Sequence, residues 1–257
     1  MNFFDPERGA LVNPRELVKT MTRRRASEHD LRVESCALIT VVDRDLKAFV
    51  RILQGHRLDS WKGYREVYRG SVSQGNVTVA LSPVGAPNVV ALAEELAAFG
   101  AQKFLFVGYC GSLQNCVKVG DLIVPTASIR EEGTSFHYLP AESPSLPNRD
   151  ILTLILDVLQ KESILFYRGP IWTTDAIYRE TSGKVAKYRE QGVLGVEMEL
   201  SALFAFGMAT EVQVGAILVV SDELAEGQWR PFIPSLRLLK GVRKARAIGL
   251  KILEAML

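Results

Sequence analysis

From residue 35 onward, short β-branched apolar runs alternate with longer stretches of helical period. Residues 35–42, 104–107, 122–125, 164–172 and 214–221 are too short for helices and carry few polar positions, as strands buried on both faces do. Between them, residues 46–54, 87–99, 148–161, 182–191, 200–209 and 236–256 read as helices. Gly55 stops the first; Pro87 opens the second in its first turn, and Gly100 supplies its left-handed cap. Residues 64–72 and 76–81, joined by Ser73-Gln74-Gly75, form a predicted hairpin, and 193–196 is extended. Such alternation predicts a mostly parallel central sheet with helices on both sides.

Composition narrows the partners. The 257 residues are 47% apolar, ample for a continuous core. No repeat or low-complexity linker interrupts 35–257, so one domain is expected there, preceded by an arm over 1–34. The arm carries Arg23-Arg24-Arg25, read as solvated or subunit-contacting. Thirty-one Lys and Arg against 29 Asp and Glu leave a charge of +2, too little field to expect nucleic acid as a partner. Cys36, Cys110 and Cys116 have neither CxxC nor metal-ligand spacing, and His56 and His137 have none either. No disulfide, metal or cofactor is therefore expected, and a reducing cytoplasm is the expected compartment. The start lacks the order of a signal peptide, and the greasiest stretches fall well short of the roughly 18 residues a membrane span needs.

In open α/β sheets ligands bind beyond the carboxyl ends of the strands. Five segments should deliver polar groups there: 43–45, 108–112, 173–180, 197–199 and 221–223. Glu197 and Glu199 open an otherwise apolar helix. First-turn acids also suit a helix dipole, but a carboxylate there can accept two hydrogen bonds from a sugar diol. Asp222 directly follows an apolar strand, the place for a proton donor or for a simple cap. Gly108-Tyr109-Cys110-Gly111-Ser112 reads as a glycine turn exposing backbone N–H groups. Cys110 has no base visible beside it and is read as a packed small residue.

These residues resemble the nucleoside phosphorylase family, which includes purine nucleoside phosphorylases, uridine phosphorylases and methylthioadenosine nucleosidases. The resemblance runs from about residue 33 to the C-terminus. It rests on Gly85-Ala86-Pro87, Val107-Gly108-Tyr109-Cys110-Gly111-Ser112-Leu113 and Val119-Gly120-Asp121-Leu122-Ile123-Val124-Pro125. It continues through 129–135, Thr173-Thr174-Asp175-Ala176-Ile177-Tyr178-Arg179-Glu180, Val196-Glu197-Met198-Glu199 and Val220-Ser221-Asp222-Glu223-Leu224.

The resemblance implies a three-layer α/β/α sandwich with a mixed, mostly parallel sheet, working as a homodimer or homohexamer. It implies that Glu199 and Met198 hold the ribose hydroxyls and that Asp222 protonates a leaving purine. Ile177, Tyr178 and Glu197 would line the base. The phosphate region departs from the family pattern: Phe106 stands where an arginine is usual, Tyr109 where a threonine is, and 41–45 replaces the glycine loop. The expectation is therefore cleavage of a nucleoside N-glycosidic bond with water as acceptor, Asp45 activating it near Gly108, Tyr109, Cys110 and Arg44. Phosphorolysis, with Arg44 drawn to the anion, is the first alternative. A catalytically weak nucleoside-binding relative is the second.

Overall fold

The computed structural model describes residues 3–6, 10–22, 27–210, 212–225, 228–230 and 235–257; the arginine run at 23–25 lies outside the described residues. The arm is not wholly a solvated appendage. Asn13 caps a helix, α1 (Pro14–Met21), its side chain accepting from the Arg15 N–H. Val18 of that helix, with Leu31 and Val33, is buried in the main core.

After the arm come β1 (Cys36–Thr40), α2 (Asp43–Ile52) and a three-strand meander, β2 (His56–Arg57), β3 (Glu66–Val72) and β4 (Gly75–Leu81). Helix α3 (Ala86–Ala98) follows Gly85, whose φ of 109° favours glycine, and ends at Gly100 with φ 126°, as a left-handed stop requires. Then come β5 (Lys103–Ser112), β6 (Leu122–Glu131), the short α4 (Ser135–Tyr138), α5 (Arg149–Lys161) and β7 (Tyr167–Thr174). The chain closes with α6 (Ser182–Glu190), β8 (Gly195–Glu197), α7 (Leu200–Thr210), β9 (Gln213–Glu223) and α8 (Leu236–Met256).

The sheet has nine strands in the order β2-β3-β4-β1-β5-β8-β7-β6-β9, with β1 parallel to both β4 and β5. Strand β5 also pairs with β9 in parallel along its whole length, so β5-β8-β7-β6-β9 close on themselves as a ring. Helices α1, α3 and α7 pack on one face, and α2, α5 and α8 on the other. This is the expected mixed three-layer α/β/α fold, with the ring as an addition that the strand pattern does not announce.

Two strands run further than their apolar cores suggested. Strand β5 continues through Ser112 and β9 through Glu223, because each extends the other's hydrogen-bond ladder. Residues 108–112 are therefore strand, not a turn with free N–H groups. The register slips once: Cys110 faces Val220, but Gly111 faces Asp222. Ser221 is the extra residue of a bulge, and the bulge re-aims Asp222 at Gly111.

Candidate active site

Alternation along β5 sorts the side chains near its carboxyl end. Phe106 and Cys110 join the core under α3 and α7, whereas Val107 and Tyr109 join the core under α2 and α8. Gly108 lies on the Phe106 side, where any Cβ would run into that ring. Gly111 is needed for a similar reason: a Cβ there would press on Leu224 and lie 3.1 Å from Asp222 Oδ2. The glycines serve close approach rather than a turn.

On the α3–α7 face, Glu199 is buried. Its Oε1 accepts the Gly85 N–H at 2.7 Å, and its Oε2 accepts the Met198 N–H at 3.3 Å. The Gly85-Ala86-Pro87 motif thus starts α3 and also holds Glu199. Burial raises the pKa of Glu199 above the ordinary carboxylate value, against the pull of those N–H groups. Its oxygens retain lone pairs for hydroxyl donors.

Glu197 is turned elsewhere. Its Oε2 accepts the Glu199 and Leu200 N–H groups at 2.7 and 2.8 Å, so it caps the start of α7. Its Oε1 takes the Thr173 hydroxyl, which also receives the Ser201 N–H at 2.9 Å. Glu197, expected beside the base, is placed with both carboxylate oxygens bonded at the mouth of α7. Burial and the neighbouring charge of Glu199 push the Glu197 pKa well up. Among the described residues neither carboxylate is paired with a cation.

Asp222 is half-buried at the end of β9. Its Oδ1 accepts the Ser221 hydroxyl at 2.6 Å, and its Oδ2 accepts the Trp229 indole N–H at 3.0 Å. The buried Cys110 feels both Asp222 and Glu197: its thiol pKa is raised by burial first and by the two acids' charges next. A thiol so held stays protonated, and its side chain packs in the core under α3 and α7. Ile177 and Tyr178 occupy an exposed turn after β7 (53% and 96% exposed). Glu180, at the end of that turn, feels Asp222: burial and that charge push its pKa up to about 7. Glu180 falls in a segment expected at this end of the sheet and Gly85 in a family motif, but nothing in the spacing of Trp229 marked it as a neighbour of Asp222.

The α2–α8 face is built differently. Asp45 is buried in α2, with its Oδ1 accepting Arg246 Nε at 2.8 Å and its Oδ2 accepting the Tyr109 hydroxyl at 2.6 Å. Burial and the Asp45 contact raise the Tyr109 pKa. Asp45, expected to activate water, is placed on α2 with its charge balanced by Arg246, on the opposite side of β5 from Glu199. Tyr109 goes with it, and the Gly108 N–H lies within the β5 strand. Arg44 is exposed on the first turn of α2. A groove of about 1260 Å³ lies away from all of these residues, between the arm and the β2–β4 meander, lined by His29, Arg32, His56, Arg57 and Lys62 among others.

The sheet carries acids at the carboxyl ends of β8 and β9, the ends at which open α/β folds bind small ligands. The chain belongs to the phosphorylase superfamily, whose family profile matches residues 36–254. It is 32% identical over 162 residues to a guanosine phosphorylase of Halorubrum lacusprofundi, covering 63% of this chain and 67% of that one. It is 27% identical over 172 residues to a uridine phosphorylase of Haemophilus influenzae, covering 62% and 66%. Its fold matches a purine nucleoside phosphorylase of Toxoplasma gondii in complex with immucillin-H, with TM-score 0.80 at 22% identity over 90% of this chain and 94% of that one. A uridine phosphorylase of Vibrio fischeri matches with TM-score 0.78 at 23% identity, over 88% and 94%. No described helix is long and apolar enough to cross a membrane.

Proposed function

We propose that the protein cleaves the N-glycosidic bond of a nucleoside with a purine-type base. The observation that carries this reading is the placement of two acids at strand ends: Glu199 just beyond β8, buried with its Oε1 on the Gly85 N–H, and Asp222 at the end of β9 opposite Gly111. The names of the relatives, guanosine and uridine phosphorylases, support the substrate class.

In this reading Glu199 and Met198 receive the ribose and Ile177 and Tyr178 border the base. Asp222 gives its proton to a ring nitrogen while the C1′–N bond breaks, its electron pair leaving with the base. Positive charge develops on the ribose, and the hydroxyl bonds to the Glu199 carboxylate strengthen with it. A water oxygen then bonds to C1′ and releases a proton to solvent, giving free base and ribose.

Water as acceptor is supported by two features. The buried Phe106 ring lies over Gly108, and the guanidinium of Arg246 is spent on Asp45. A phosphate dianion requires fixed donors, which neither supplies. The second reading, phosphorolysis to base and ribose 1-phosphate, is favoured by the exposed Arg44 and by the activity named for the relatives. Incubating guanosine with and without inorganic phosphate and identifying the sugar separates them. Free ribose at a phosphate-independent rate is expected; phosphate stimulation with ribose 1-phosphate overturns the choice of acceptor. Guanosine binding with no base released overturns catalysis itself. The working unit in this reading is a homo-oligomer, checked by sedimentation at micromolar concentration.

A further inference from the structure

We propose that Trp229 is a positioning residue for Asp222: in the free enzyme its indole N–H holds the carboxylate oxygen that serves the leaving base, and a bound purine displaces it. This rests on Asp222 being the proton donor, as proposed above.

The indole is placed by the backbone. Arg230 N–H donates to the Glu223 carbonyl at 2.9 Å and Glu223 N–H donates back at 3.3 Å, so the chain folds over the end of β9 and brings Trp229 Nε1 to 3.0 Å from Asp222 Oδ2. The ring is nonetheless 65% exposed. The other oxygen, Oδ1, is held by the Ser221 hydroxyl, which has a second acceptor within reach, the Cys110 carbonyl at 3.2 Å. Ser221 can therefore turn away and keep a hydrogen bond, whereas Trp229 must leave Oδ2 for a ring nitrogen to approach it.

Displacing the indole by the base frees Oδ2 for the ring nitrogen at the moment when the base binds. The charged and titratable groups around Asp222 are Glu180 from the turn after β7 and Cys110 from β5. Beyond them lie Glu223 with its partner Lys118, and Arg230. All are kept when Trp229 alone is changed, so a Trp229→Phe variant isolates the N–H.

The other two tryptophans, Trp61 and Trp172, are fully buried, so iodide quenching of fluorescence reads Trp229. Saturating guanosine should change the quenching constant of the unmodified protein by about twofold or more. In Trp229→Phe the KM for guanosine should fall by about twofold or more with kcat little changed, because nothing is left to displace on binding. Quenching indifferent to guanosine, or an unchanged KM, overturns the inference. The fluorescence arm needs no variant and stands even if Trp229→Phe folds poorly. Asp222→Asn distinguishes the two levels: if it still cleaves guanosine, the proton-donor reading itself falls. If it is inactive while Trp229→Phe keeps the KM of the parent, only the role of Trp229 falls.

Discussion

Asp45 and Glu199 are both buried acids beside β5, one on each face, and they are solved by opposite means. Asp45 is neutralised: Arg246 and the Tyr109 hydroxyl hold its two oxygens. Glu199 has no cation among the described residues; backbone N–H groups and the capped mouth of α7 support it, with a second acid, Glu197, alongside. Taking a carboxylate out of water costs several kcal/mol unless a partner offsets it. A fold that offsets this for one acid and leaves the other without a counter-charge has a use for the second. Uncompensated burial is thus the better guide to the site than burial itself.

The largest effect that tests this contrast is on turnover. Glu199→Ala should lower kcat for guanosine on the order of 10³-fold, the scale of losing one charge-stabilising group in a transition state. Circular dichroism and the unfolding midpoint should stay near those of the parent. A variant with near-normal turnover would place Glu199 with Asp45 as structural.

Asp45→Asn should do the reverse. It leaves Arg246 without its counter-charge, at a cost of about 3 kcal/mol in urea unfolding. The pH dependence of kcat should be unchanged, since the group is not asked to move a proton. A kcat profile that loses a limb in this variant would return Asp45 to the chemistry. Next in size comes Gly111→Ala, whose added methyl presses on Leu224 and on Asp222. Displacing a reacting group by about an ångström can cost on the order of 10²-fold, and here the loss should appear in kcat for guanosine. It should largely spare a nitrophenyl riboside, whose leaving group needs no proton.

Much of this layout was legible in the residues. The strand–helix alternation gave the layers, and the two short runs at 196–199 and 220–223 drew attention to acids that do lie at strand ends. What periodicity misses is register and facing. Gly108 and Gly111 look like a turn in sequence because glycine is common in turns; only the pairing of β5 with β9 shows that they make room for Phe106 and Asp222. Asp45 looked like a free acid because its partner, Arg246, is 201 residues away on α8. Glu197 and Glu199 differ by two positions yet point to different tasks, set by how the chain turns into α7. Such assignments depend on long-range packing, which no local pattern encodes.

The smallest expected effect concerns Glu180, an acid between the two extremes: partly buried, with no balancing cation among the influences on it, and facing another acid. Its pKa is raised from the ordinary 4.5 to about 7, by burial first and by the charge of Asp222 second. Below pH 4.5 the folded and unfolded chains both hold this proton, and the group does not affect stability. As pH rises from there to about 7, the unfolded chain releases the proton while the folded chain retains it, so stability falls across that interval and levels off above it. Glu180→Gln removes the titration. The variant should therefore show a flatter urea midpoint between pH 5 and pH 8 than the parent, and match it most closely at the acid end. Because the side chain is only partly shielded, solvent screening should hold the difference under about 1 kcal/mol. A parent protein whose midpoint rises from pH 5 to pH 8 by an amount that Glu180→Gln abolishes would mean that Glu180 is paired with a cation in solution. It would then belong with Asp45 rather than beside the uncompensated acids of the site.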